Sequence, residues 1–102
     1  MKVNERGGRF VIDMPAVLDL PAAAELRDLL IDATAHDTAA DISLDCSNVE
    51  RVSTAALQVI LAGATALRLA ARRLVLDGVP SALAGAFRAL GLADEFDQLA
   101  DS

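Results

Sequence analysis

The spacing of apolar residues changes period several times along the chain, and each change marks an element. Arg9-Phe10-Val11-Ile12-Asp13-Met14 follows a Gly7-Gly8 breaker and is rich in aromatic and β-branched side chains, which predicts a first strand. Pro15 interrupts it. Ala16-Val17-Leu18-Asp19-Leu20 resumes in extended form, because the residue before a proline is pushed out of the α region, and this predicts a hairpin partner or a short edge strand. From Pro21 the period becomes helical. Leu26, Leu29, Leu30 and Ala33 fall at i, i+3, i+4 and i+7, with Glu25, Arg27, Asp28 and Asp32 on the other face, so an amphipathic helix should end near His36.

Asp41-Ile42-Ser43-Leu44-Asp45-Cys46 alternates polar and apolar with period two, and Ser47-Asn48 supplies turn chemistry where that strand should stop. Leu57, Ile60, Ala64, Leu67 and Ala71 then recur at helical spacing. Ser53 is the expected N-cap of this helix, its hydroxyl accepting from one of the free N–H groups of the first turn, and Arg72-Arg73 should close it against the negative end of its dipole. Leu74-Val75-Leu76-Asp77 reads as a strand stopped by Gly78. Pro80-Ser81 opens a helix through Leu90, with Gly91 as its C-terminal stop, and Leu92, Phe96 and Leu99 line one face of a last short helix. The order ββαβαβαα, with strand-helix-strand crossovers, predicts an α/β fold. Its sheet should be mixed and largely parallel, with about four or five strands covered by about four helices.

Composition narrows the class. The 102 residues suit one domain, 1–102, and a chain 54% hydrophobic and 24% charged can bury a core and stay soluble. Nine basic against fifteen acidic residues give a formal charge of −6, which repels phosphate backbones and argues against nucleic acid as a partner. Met1-Lys2-Val3-Asn4-Glu5-Arg6 lacks the apolar run of a signal peptide. The longest apolar stretch, Val59 to Leu67, is far short of a membrane span, so a cytoplasmic protein with no direct membrane insertion is expected.

Catalytic parts are scarce. One cysteine, Cys46, and one histidine, His36, allow no intrachain disulfide and no Cys/His zinc site, and no cofactor is implied. Cys46, at the end of an apolar strand, reads as a small hydrophobe, and His36 as a helix-end residue. There is no G-x-S-x-G elbow and no glycine-rich phosphate loop. Asp45 could accept a phosphoryl group at a strand end, with Asp13 as a second acid. That chemistry also wants a lysine, and Lys2, near the N-terminus, is the sole one. The plainer role for Asp45 is to hydrogen-bond the turn that follows its strand.

The most informative segment is Leu44-Asp45-Cys46-Ser47-Asn48-Val49-Glu50-Arg51-Val52-Ser53-Thr54-Ala55-Ala56-Leu57. It resembles the signature of the STAS domain, the family of bacterial anti-sigma-factor antagonists, in which a strand ending in Asp-x-Ser leads to Asp-Ser-Ser-Gly-Leu at a helix start. The leading strands, the alanine-rich first helix, Leu74 to Asp77 before Gly78, and Phe87-Arg88-Ala89-Leu90-Gly91-Leu92 also fall where that family places its elements. By this resemblance Ser53 stands at the family's aspartate, Thr54 at its first serine, Ala55 at the serine that a cognate kinase phosphorylates, and Ala56 at its glycine. Leu57 matches. Alanine at 55 has no hydroxyl, so the usual phosphate cannot be attached there. Thr54 corresponds to the threonine of the Asp-Thr-Gly-Gly-Leu helix start in STAS subunits of bacterial lipid-transport ABC importers, and chemotaxis-associated STAS proteins look similar through this helix.

The resemblance implies a non-enzymatic, protein-binding regulatory module acting in partner switching and signal transduction. Ser47, Asn48, Arg51, Ser53, Thr54 and Leu57 are the expected partner-binding residues, with Thr54 and Ser53 as phosphorylation candidates. The partner would be an anti-sigma-factor-like kinase, a chemotaxis component or an ABC transporter subunit. The alternatives are a phosphorelay protein with Asp45 as acceptor, or the STAS subunit of a membrane ABC transporter. Independently of family, a helix start offers free N–H donors and a partial positive charge, which makes it a natural place to receive a phosphate or a partner's carboxylate.

Overall fold

The computed structural model of the chain describes residues 1–35 and 40–99. His36, expected at the end of the first helix, lies outside them. Gly7 and Gly8 both have positive φ, +59° and +77°, the combination that tight two-residue hairpin turns demand. They join β1 (Lys2–Arg6) to β2 (Arg9–Asp13) in an antiparallel ladder that runs from Lys2 opposite Asp13 to Arg6 opposite Arg9. The hairpin partner of β2 is therefore β1, not the 16–20 segment expected from the proline-flanked run. The sequence KVNER has no apolar alternation and is mostly exposed. Backbone hydrogen bonds hold it in place, and its charges blunt the free edge of the sheet. Val17–Leu18 does form a short strand, β3. It pairs in parallel with β5 (Arg51–Val52), which the sequence pattern also missed, as a separate two-stranded sheet.

The main sheet has the order β1-β2-β4-β6, with β4 (Ile42–Asp45) parallel to both β2 and β6 (Leu74–Asp77). Ile12, Leu44 and Leu76 stand in one buried cross-strand row. The crossover helices α1 (Leu20–Ala35) and α2 (Thr54–Leu69) bury Leu26, Leu30, Leu57, Ile60 and Leu67 in the same core. They meet at Gly63, where a Cβ would come within 2.7 Å of Leu30 Cδ1. α3 (Ser81–Ala89) and α4 (Ala93–Leu99) add Leu83, Phe87, Phe96 and Leu99, and the two phenylalanine rings lie 5.2 Å apart between centroids. The architecture is α/β, with a mixed sheet and helices alternating as the apolar periods required.

Two helices end in the same way. Gly91 follows α3 with φ +74°; its N–H donates to the Arg88 carbonyl and that of Leu92 to the Phe87 carbonyl. Ala71 follows α2 with φ +58°; its N–H donates to the Arg68 carbonyl and that of Arg72 to the Leu67 carbonyl. Both are Schellman closures, which need a left-handed residue. α2 therefore stops at Leu69, before the Ala71 expected from periodicity. Arg72 also has a different role from the one expected. It is 4% exposed, and its Nε donates to the Ala40 carbonyl at 2.8 Å while Nη1 donates to the Ala33 carbonyl at 2.9 Å. Its charge thus sits at the C-terminal end of α1, where it complements that helix's dipole rather than the dipole of α2.

Candidate functional site

The segment from Asp45 to Leu57 leaves the main sheet, crosses to the small sheet and enters α2, and backbone hydrogen bonds fix each stage. The Asp45 carbonyl accepts from Met14 N at 3.0 Å, and Cys46 N donates to the Asp77 carbonyl at 2.9 Å. The chain then turns, with Val49 N donating to the Cys46 carbonyl at 3.0 Å. Asp45 Oδ1 accepts from both the N–H of Ser47, at 3.1 Å, and its hydroxyl, at 2.6 Å. These two bonds hold the Asp45 carboxyl below its ordinary pKa, since both favour the ionised form. Gly78 packs beside this turn with φ +64°, and a Cβ there would lie 3.2 Å from Ser47 Cβ. Asp45 and Ser47 are thus tied as the plainer reading of Asp45 expected.

Beyond the turn, Glu50 N and Arg51 N both donate to the Ala16 carbonyl, at 2.7 and 3.0 Å, and Ser53 N donates to the Leu18 carbonyl at 2.8 Å. Val49 is buried beneath the loop. Ser53 has extended dihedrals, φ −84° and ψ 157°, and its Oγ accepts from Ala56 N at 3.1 Å, as expected of an N-cap. This engagement occupies the hydroxyl in a half-buried position, whereas Thr54, the first residue of α2, is exposed. Ser47, Asn48 and Arg51 are exposed as well. Leu57 is only 2% exposed and belongs to the core, so it seats the helix and offers no surface to a partner. Ala55 is partly buried.

Asp45 is flanked in register by Asp13 on β2 and Asp77 on β6. Lys2 lies opposite Asp13 within β1. Among the described residues, no group of three or more His, Cys, Asp or Glu side chains is arranged to hold a metal ion. Cys46 is fully buried, its thiol donates to the Leu44 carbonyl at 3.4 Å, and burial pushes its pKa up to about 12. That is the setting of an unreactive thiol. No helix among the described residues is long and apolar enough to cross a membrane.

The position of Gly78 against Ser47 is a feature of the site that sequence reasoning did not use. Its signal is a glycine directly after a strand, which marks a close backbone approach as well as a stop. The groove between α1 and α2, which begins at Ala55, left no such mark, because its residues lie on two helices far apart in sequence.

The family model described as "Mlab, STAS domain" matches residues 1–100, and the chain belongs to this STAS-domain family. Among solved structures, it is similar to a Thermotoga maritima protein provisionally designated an anti-sigma factor antagonist. The TM-score is 0.80 at 16% identity, over 99% of this chain and 86% of that one. It is also similar to a sulfate transporter family protein from Wolinella succinogenes, with a TM-score of 0.69 at 16% identity over 88% of this chain and 73% of that one. At these identities the likeness is one of fold. No curated protein matches the sequence.

Proposed function

We propose that this STAS domain is a non-enzymatic, cytoplasmic regulatory module that binds another protein through the loop and helix start at residues 47–57, with Thr54 as the position where added charge switches binding. One observation carries the reading. The hydroxyl of Ser53 is committed to capping α2, Ala55 has none, and Thr54 stands exposed on the first turn. A phosphate there would gain from the helix dipole in the free domain, yet it would place roughly two negative charges where a partner must pack. The net charge of −6 favours a basic partner surface and an association rate that falls with salt.

A signalling kinase, a chemotaxis component and an ABC transporter subunit are the partner classes the family resemblance supports. The test is affinity capture with wild type beside Thr54→Glu and Thr54→Val. Loss of one captured partner by the Glu variant alone supports a charge switch. Equal capture by all three folded proteins removes the helix start from the interface and leaves Ser53-Thr54 as an ordinary cap. The phosphorelay alternative is checked by acetyl phosphate and Mg²⁺: a hydroxylamine-labile phosphate on Asp45 would revive it, against the two Ser47 bonds that occupy one of its oxygens.

A further inference from the structure

α1 and α2 do not close on each other along their whole length. Leu30 seats on Gly63 at the floor, but outward from that contact the helices part to leave an open groove of about 500 Å³, within the range of about 300 to 1,000 Å³ typical of small-molecule sites. The α2 wall is built from Ala55, Gln58, Val59, Ala62, Gly63 and Ala66, and its three alanines and one glycine leave the space. The α1 wall includes Ile31, which is 58% exposed. From Ala55 to Ala66 the wall is roughly 16 Å long at ~1.5 Å per residue.

The charges around this groove are distributed unevenly. The chain has fifteen acidic residues, yet α2 has no Asp or Glu in its sixteen residues. Surface helices usually carry a charged face. The one charged side chain lining the groove is Arg27. The two helices run the same way, since each returns the chain to a parallel strand, and Arg72, just past α2, reaches Ala33 in the last turn of α1. Arg27, one turn before Leu30, therefore lies on the Ala55 side of the Leu30–Gly63 contact, and the uncharged polar side chains of Gln58 and Thr34 also line the groove. The present partner of Arg27 is Asp28, at 3.3 Å, with both side chains largely exposed. A pair so solvated holds its cation weakly.

We propose that this groove binds a fatty-acid anion, with the carboxylate meeting Arg27 and the acyl chain running from there past Ala62 and Gly63 to Ala66. Among the described residues the channel is largely apolar, has no acidic lining group and carries one cation, which complements a single-chain anionic amphiphile. It does not complement a cationic one. This inference goes beyond the docking role of residues 47–57 and does not depend on it.

The test is titration of the isotopically labelled full chain with octanoate, decanoate and dodecanoate, each below its micelle concentration, followed by amide chemical shifts. Dodecyltrimethylammonium serves as the cationic control. Shifts should concentrate at Val59, Ala62, Gly63 and Ala66, and each added methylene should tighten Kd about fourfold. Arg27→Gln should bring the carboxylate down to the affinity of the cation. Ala62→Trp should fill the groove and abolish binding, and Ala66→Trp does the same at the far end should the first variant not fold. Shifts spread evenly over the surface, equal affinity for the cation in the wild type, or unchanged binding to the folded tryptophan variants would each overturn the proposal. These titrations are scored on Arg27, Ala62 and Ala66, which lie outside residues 47–57, and the capture experiment is scored on Thr54, so either result can fail without the other.

Discussion

The Ser47 hydroxyl donates to Asp45 Oδ1 at 2.6 Å, and the Ser47 backbone N–H reaches the same oxygen at 3.1 Å. One carboxylate thus holds the turn by which the chain leaves the main sheet for the candidate site. Its folded-state pKa is depressed below 3.8. The stability it contributes is therefore present above its unfolded pKa and is lost as pH falls through its folded pKa. Ser47→Ala should raise the Asp45 pKa toward the ordinary value, seen by carboxyl-carbon NMR titration, and should flatten the dependence of stability on pH in the acid range. An unchanged Asp45 titration in that variant would mean that the hydroxyl bond is not formed in solution.

Cys46 should be silent. A fully buried thiol with its pKa near 12 is almost wholly protonated at pH 8, so a disulfide reagent should label it only through opening of the fold. Labelling should therefore be slow in the native protein and fast in denaturant. Rapid native labelling would show that the end of β4 opens far more readily than the core around it.

Stability and binding should separate within the same segment. Truncating Leu57 or Ile60, both buried against the sheet, to alanine should cost ~2 to 5 kcal/mol, a large part of a total that is about 5 to 15 kcal/mol for small domains. Arg51→Ala and Asn48→Ala, on exposed positions, should stay within about 0.5 kcal/mol. Urea melts of the four variants check the order.

The paired helix endings give a reciprocal experiment. Ala71 holds φ +58° where Gly91 holds +74° in the same motif. Left-handed geometry costs an L side chain about 1 to 2 kcal/mol, offset in part by the greater freedom of glycine in the unfolded chain. Ala71→Gly should raise stability by up to about 1 kcal/mol and Gly91→Ala should lower it by a similar amount. Equal effects of one sign would show that the two closures do not share their geometry in solution.

What the sequence revealed depended on where each element finds its support. α2 and β6 rest on their own apolar residues, so Leu57, Ile60 and Leu67 carry a helical period and Leu74-Val75-Leu76 forms a legible apolar run, while α3 is marked by Pro80 and Gly91 at its ends. β1 rests on a backbone ladder, which the polar run KVNER conceals, and the two-residue strands β3 and β5 are too short to show any period. The Ser53 cap was legible because its bond spans three residues. The destination of Arg72 was not, because its partners lie 32 and 39 residues away. The α1–α2 groove escaped for the same reason, since small residues on α2 look like ordinary helix formers until α1 is laid beside them.

Arg72 joins two parts of the chain that would otherwise be able to come apart separately. Its backbone closes α2 at the entrance to β6, and its guanidinium holds the end of α1 and the approach to β4. Fraying either crossover alone would leave a buried cation without its acceptors, so the two should lose their protection together. Amides in the last turn of α1 and at the start of β6 should then exchange with solvent as one cooperative unit, at the rate set by opening of the whole domain.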